Sequence, residues 1–227
     1  MNEAYNIDCM EYMKTLPDNA FDLAVVDPPY GDAGADSGFA EGKRFGERFD
    51  RYKKVERRGG QWAERYTNKI VSWDVAPNQQ YFDELFRIAK SQIIWGGNYF
   101  SLPPTRCFLI WRKTNIPDGF TMAQVEYAWT SFNTNAVVFD FSSAGQPGRF
   151  HPTQKPVELY RWIFSKFAKP GDRIIDTHLG SGSSRIAAYD AGLDFVGCEI
   201  DAEYFQAQEK RFAEHSAQLN LFLEGNL

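Results

Sequence analysis

The tetrapeptide Asp27-Pro28-Pro29-Tyr30 directly follows the apolar run DLAVV at residues 22–26. Proline cannot donate to a strand ladder and disfavours helix before it, so a buried strand ends abruptly here in a rigid turn. A carboxylate, a carbonyl aimed by locked φ angles and an aromatic ring suit one kind of chemistry. The exocyclic amine of a nucleobase is a poor nucleophile, because its lone pair is delocalised into the ring. Hydrogen bonds from that amine to the Asp27 carboxylate and the Pro28 carbonyl favour the pyramidal nitrogen that attacks an electrophile. Tyr30 would stack on the extruded base. With a sulfonium as methyl donor, in-line displacement needs mainly positioning and electrostatics. The plain alternative is a strand-ending turn whose Asp27 only caps backbone amides.

A second candidate lies far downstream, at Asp176-Thr177-His178-Leu179-Gly180-Ser181-Gly182-Ser183-Ser184. It follows a predicted strand and opens a predicted helix. Gly180 and Gly182 permit a tight turn and let a ligand approach the backbone. The next strand ends at Glu199, where a carboxylate can accept hydrogen bonds from two ribose hydroxyls. Strand, glycine turn, helix, strand and acid together describe a nucleoside-cofactor site. No Lys-Ser or Lys-Thr follows the glycines, so this is no phosphate-binding lysine loop. Taken alone, the segment also admits an ordinary glycine turn or a dinucleotide oxidoreductase.

The elements that must position these turns alternate. Helices are predicted over residues 10–15, 79–90, 157–168, 183–191 and 201–217. Strands are predicted over 22–26, 91–96, 106–112, 172–176 and 194–199, with 123–130 and 135–141 as a further pair. This alternation predicts an α/β fold with a mostly parallel central sheet. Residues 31–69 break the pattern: they are rich in glycine and charge and read as one long mobile insertion.

At 227 residues the chain fits a single domain with that insertion. No apolar run is long enough to span a membrane, and the first residues lack the pattern of a secretory signal. Cys9, Cys107 and Cys198 are scattered and odd in number, which suits small core residues in a reducing cytoplasm and gives no metal spacing. The net charge is −5, yet residues 41–69 hold ten basic and five acidic residues, a net of +5 that leaves −10 for the rest. An acidic body with one basic segment suits a protein that meets a polyanion at one place.

The chain resembles the beta-class DNA amino-methyltransferases. Asp27-Pro28-Pro29-Tyr30, then His151-Pro152-Thr153-Gln154-Lys155-Pro156, then the glycine turn at Asp176–Gly182 occur in that class's permuted order. The hexapeptide is highly specific to it. The likeness runs from Ile7 to about Phe205, apart from the basic insertion. The motif order sets the chain apart from relatives that methylate protein glutamine or ribosomal RNA. It implies a Rossmann-like methyltransferase fold, a seven-stranded and mostly parallel sheet with a reversed terminal hairpin and helices on both faces. It also implies S-adenosylmethionine as cofactor, DNA as partner, no metal, a possible homodimer and a restriction-modification setting.

The resemblance further assigns roles. Asp27, Pro28, Pro29 and Tyr30 become the catalytic residues, and Asp in the first position favours adenine N6 where Ser would favour cytosine N4. Asp176, Gly180, Ser181 and Gly182 surround the methionine part of the cofactor, while Ser183 and Ser184 cap the next helix. Glu199 holds the ribose with Ile200 beside it. Asn6–Met10 corresponds to a strand whose Asp8 meets the cofactor's adenine amine, with Cys9 beside the ring; Asp8 equally suits a helix N-cap. His151, Thr153, Gln154 and Lys155 form the opposite wall. Gly96-Gly97-Asn98 and Trp111-Arg112-Lys113 should line the cleft at strand ends.

Two departures stand out. His178 occupies a position where the family usually has a large residue, often Phe. The segment Ser142–Phe150 is too short for the target-recognition domain that normally precedes the hexapeptide. The basic insertion is the candidate substitute. Its Arg44, Arg48, Arg51, Lys53, Lys54, Arg57 and Arg58 would grip phosphates, and its aromatic residues would probe bases. The competing functions are a cytosine-N4 enzyme on the same scaffold and a catalytically silent, cofactor-dependent DNA-binding subunit.

Overall fold

The structure, a computed structural model, describes residues 1–31, 75–120, 123–144, 148–151 and 153–224. The seven basic residues expected to bind DNA, Arg44 to Arg58, lie outside the described residues. The chain divides into two compact units, residues 1–27 with 80–227 and residues 28–79. In the smaller unit Gly31 takes φ +64°, and a Cβ there would come 2.9 Å from the Ala76 nitrogen.

The larger unit is an α/β sandwich around one sheet. In chain order its elements are β1 (Asn2–Tyr5), α1 (Cys9–Lys14), β2 (Phe21–Val26), α2 (Gln79–Ile88), β3 (Ala89–Trp95), β4 (Phe108–Lys113), β5 (Val125–Thr130) and β6 (Val137–Phe141). They continue with α3 (Val157–Phe167), β7 (Arg173–Asp176), α4 (Ser183–Asp190), β8 (Asp194–Cys198) and α5 (Ala202–Glu224). The strand order is β1-β8-β7-β2-β3-β5-β4-β6. Among the described strands, only β5 runs against its neighbours, antiparallel to both β3 and β4.

The apolar run of β2 shows why both faces are covered. Its side chains alternate across the sheet. Leu23 and Val25 join one cluster with Leu159, Ile163 and Phe164 of α3 and Ala187 and Ala188 of α4. Ala24 and Val26 join the other with Met13 of α1 and Phe82, Leu85 and Ile88 of α2. A strand buried on both faces shows no polar alternation, so it reads as a continuous hydrophobic run. Helix α2 turns Phe82, Leu85 and Ile88 inward at helical spacing, all within 2% of full burial.

Three expectations need correction. The N-terminal strand is Asn2–Tyr5, not Asn6–Met10: the Asp8 carboxylate accepts the Met10 and Glu11 amides at 2.7 and 3.3 Å and starts α1 instead. Among the described residues the sheet has eight strands rather than seven, because β6 adds outside β4 in parallel register. Hence the β4–β5 hairpin is not terminal, and the strands at 123–130 and 135–141 are separated by β4. Ser183 and Ser184 do not cap α4; Gly182 is its N-cap, at φ +73°, and the two hydroxyls are used elsewhere. Among the described residues, no helix is long and apolar enough to cross a membrane.

Candidate active site

Strands β1, β8, β7, β2 and β3 are neighbours and parallel, so their carboxyl ends share one edge. That edge collects Asp8 and Cys9 after β1, Glu199 and Ile200 after β8, the glycine turn after β7, Asp27 after β2 and Gly96-Gly97-Asn98 after β3. Ligands of open α/β sheets bind at such an edge. The reversal of β5 brings its first residues, Val125 and Glu126, to the same side.

The glycine turn is held from several directions. The Gly180 amide donates to Glu199 Oε2 at 2.8 Å, and the Asp201 amide donates to Oε1 at 2.9 Å. Glu199 is therefore fixed in orientation while its carboxylate keeps lone pairs for a ligand. Asp176 accepts the His178 amide at 3.0 Å and the Ser184 hydroxyl at 2.5 Å. Arg211 of α5 donates to the Ser181 carbonyl at 2.8 Å and to the Ser183 hydroxyl at 2.9 Å. Gly180 sits at φ +51°, and a Cβ there would meet the His151 ring at 3.4 Å. His151 in turn packs edge-on against Tyr204, centroids 4.4 Å apart. Thus the hexapeptide does face the glycine turn.

His178 is bound into a hydroxyl chain. Tyr81 and Thr177 hydroxyls are 2.6 Å apart, and the Thr177 hydroxyl lies 3.0 Å from His178 Nδ1. Burial pushes the imidazole down to about 4, so it is neutral near pH 7. Burial pushes the Asp176 carboxyl up to about 7, against its bonds from Ser184 and the His178 amide and with the Asp27 and Glu199 charges adding to the rise. Burial likewise raises Glu199.

The two values have opposite consequences for stability. An imidazole that charges more readily unfolded subtracts stability as pH falls from 6.5 toward about 4. A carboxyl that protonates more readily folded subtracts stability as pH rises from 3.8 toward about 7. His178→Phe should therefore gain on the parent protein as pH falls through that window. Asp176→Asn should gain on it as pH rises. Thermal unfolding of the three proteins between pH 4 and 8 checks both signs, and parallel curves would contradict them.

Around Asp27 four charges alternate. Lys155 pairs with Asp27 Oδ2 and with Glu126 Oε2, the latter at 3.3 Å. Lys113 takes Glu126 Oε1 at 2.7 Å. The Lys155 side chain is only 4% exposed, and its ammonium lies 5.3 Å from the Trp95 ring centre. Burial opposes its charge, but the Asp27 and Glu126 carboxylates outweigh burial and hold its pKa above the ordinary lysine value. Glu126 is held below the usual carboxylate range: burial opposes this, and the two lysines prevail.

The strand pairing explains the cluster. Glu126 stands opposite Trp111, and Lys113 lies two residues beyond Trp111 on the same face of β4. Trp95, Trp111 and Ala128 belong to the cluster under α3, and Lys155 leads directly into α3. Of the expected site residues, Asp8, Asp27, Asp176, Glu199 and the glycines gather at one edge. The Thr153 hydroxyl lies 3.3 Å from His151 Nδ1, and the Gln154 side-chain oxygen Oε1 accepts the Phe150 amide at 3.4 Å. Both brace the hexapeptide loop. Pro28, Pro29 and Tyr30 fall in the smaller unit. The sequence reading missed Tyr81, Glu126, Tyr204 and Arg211. A lone glutamate in the predicted strand 123–130 was the one available signal among these.

The architecture is the Rossmann-like fold of methyltransferases, with Asp27-Pro28-Pro29-Tyr30 preceding the glycine turn in the chain. The M1.HpyAVI–SAM complex is similar over 93% of this chain and 98% of its own, with TM-score 0.54 and 21% identity. PvuII DNA methyltransferase, described as cytosine-N4-specific, is similar over 99% and 94%, with TM-score 0.57 and 14% identity. In sequence, the Type II methyltransferase M2.DpnII of Streptococcus pneumoniae is 25% identical over 90% of this chain and 87% of its own. M.HinfI of Haemophilus influenzae is 24% identical over 94% and 69%. The DNA methylase family model matches residues 50–210, so the chain belongs to the N6/N4 DNA methylase family.

Proposed function

We propose that the protein transfers a methyl group from S-adenosylmethionine to N6 of adenine in DNA. The observation that carries this reading is the placement of Asp27 at the carboxyl end of β2, next to β7 and its glycine turn. The site fits the cofactor. Asp8 suits the cofactor's adenine amine, Asp176 its methionine part and Glu199 its ribose hydroxyls, and the 63% exposed Ile200 suits one face of the adenine. When bound, the cofactor supplies an electrophilic methyl group.

The chain's residues do the rest. Asp27 and the Pro28 carbonyl accept the two hydrogens of the target amine and turn its lone pair toward the methyl carbon. As the new C–N bond forms and the methyl–sulfur bond breaks, leaving a neutral thioether, the amine becomes cationic, and Asp27 faces that charge where it develops. One amine proton then passes to solvent water, which restores the neutral product. Tyr30 stacks on the flipped base. Asp at the head of the tetrapeptide, rather than Ser, favours adenine over cytosine.

The test is transfer of labelled methyl to DNA, followed by digestion to nucleosides and mass spectrometry. N6-methyladenine is expected. N4-methylcytosine would establish the second reading, and absence of transfer would leave a binding subunit. The basic segment is proposed to hold the DNA. Reversing charge at Arg51, Lys53 and Lys54 should weaken DNA binding by roughly tenfold or more with cofactor affinity intact. An unchanged DNA affinity, measured at fixed salt, would reject that assignment.

A further inference from the structure

We infer that Glu126 and Lys113 are positioning residues for Asp27, acting through Lys155. The inference rests on the reading of Asp27 given above. Lysine has three N–H donors and no acceptor, and a buried ammonium seeks every carboxylate in reach. Among the described residues, two pair with Lys155. Lys155 takes Oδ2 of Asp27, and its attention is divided by Glu126 Oε2 at 3.3 Å. Glu126 cannot swing away, because its other oxygen is held by Lys113 at 2.7 Å. Each Glu126 oxygen thus belongs to a different lysine.

The arrangement matters because Asp27 must do two things. It must stay anchored, which the Lys155 contact provides. It must also offer an oxygen to the target amine, which a lysine spread over both oxygens would prevent. Removing the Glu126 charge leaves Lys155 with Asp27 as its one anionic partner among the described residues. The lysine then closes on the Asp27 carboxylate and competes with the amine. Removing Lys113 leaves Glu126 with Lys155 as its one cation among the described residues, so Glu126 draws the lysine off Asp27 and the Asp27 carboxylate loses its anchor. Neither residue belongs to the tetrapeptide, the hexapeptide or the glycine turn. The strand register alone brings them into line.

The experiment compares Glu126→Gln, Glu126→Asp and Lys113→Met by steady-state transfer and by calorimetric cofactor binding. Glu126→Gln is expected to lower kcat about tenfold, with KM for DNA and Kd for S-adenosylmethionine within about twofold. Glu126→Asp should recover part of the loss. Lys113→Met should lower kcat too, but add little in the Glu126→Gln background, since both act through one contact. Should Glu126→Gln fail to bind cofactor, the kcat of Lys113→Met alone decides. A kcat within twofold of the parent, a loss confined to KM, or independent losses that multiply would overturn the inference. Asp27→Asn serves as the reference. If it retains full transfer, the reading of Asp27 fails; if it is inactive while Glu126→Gln is normal, only the positioning role fails.

Discussion

Replacing Asp27 with alanine is expected to lower methyl transfer by roughly 10²–10⁴-fold, while cofactor affinity stays within about twofold of the parent. The carboxylate is proposed as the acceptor that orients the amine and as the charge that faces the developing cation, so its loss should act on the transition state. The glycine turn does not depend on it: Gly180 and Asp201 bond to Glu199, and His178 and Ser184 bond to Asp176. The substitution also removes one of the two carboxylates that, among the described residues, pair with the buried Lys155. Breaking a buried ion pair costs about 3–5 kcal/mol when nothing else compensates. Glu126 remains, so the penalty should fall below that range. Asp27→Asn separates the effects, since it keeps the shape but places an amide where an anion stood. Single-turnover transfer, read beside thermal unfolding, gives the answer. Residual transfer above about a tenth of the parent rate would refute the role.

The second large effect is expected at Glu199 and reverses the pattern. Glu199→Ala removes the acceptor for the Gly180 and Asp201 amides, both close to 2.9 Å. A buried amide left without a partner costs about 1–3 kcal/mol. The proposed ribose contacts are lost as well. Together these should weaken S-adenosylmethionine binding by roughly 10²-fold or more, a difference of about 3 kcal/mol. Saturating cofactor should restore much of the transfer rate, because Asp27 keeps its Lys155 anchor. Calorimetric titration of the variant is the direct check. An affinity within threefold of the parent would mean that Glu199 serves the turn alone.

The opposite behaviour of these two residues reflects how the site is encoded. Asp27, Asp176, Gly180, Gly182 and Glu199 were legible because each lies at or just beyond the end of a predicted strand, and because the motifs that hold them occur together in one order, which a single turn would not have distinguished. Asp8 was legible but ambiguous, and the helix cap is the part the structure displays. Strand β1 was misplaced by four residues because Asn2–Tyr5 is short and lacks apolar alternation; it is fixed by pairing with β8, which no local pattern reveals. Tyr81, Glu126 and Arg211 were missed for the same reason. Each reaches the site across a long stretch of sequence, and a residue type alone does not disclose its partner. Lys155 was found through its hexapeptide, yet its pairing with Asp27 depends on how α3 packs over β2, β3 and β4.

The pairing of β1 with β8 has a consequence for biosynthesis. Asn2 lies opposite Phe195, 193 positions later, and Glu199 donates its backbone amide to the Tyr5 carbonyl at 3.0 Å. Asp8 and Glu199, proposed to hold one adenosine between them, are therefore made at opposite ends of translation of this segment. A nascent chain carries Asp8 and Asp27 early, but it has no glycine turn until residue 182 has emerged from the ribosome. At about 5–20 residues per second, that interval lasts on the order of ten seconds or more. During it, β2 lacks β7, the neighbour that covers one of its edges. An exposed hydrophobic strand of this kind is a natural client for chaperones. Cofactor binding is then a late event in the life of each molecule, available only after the sheet has closed.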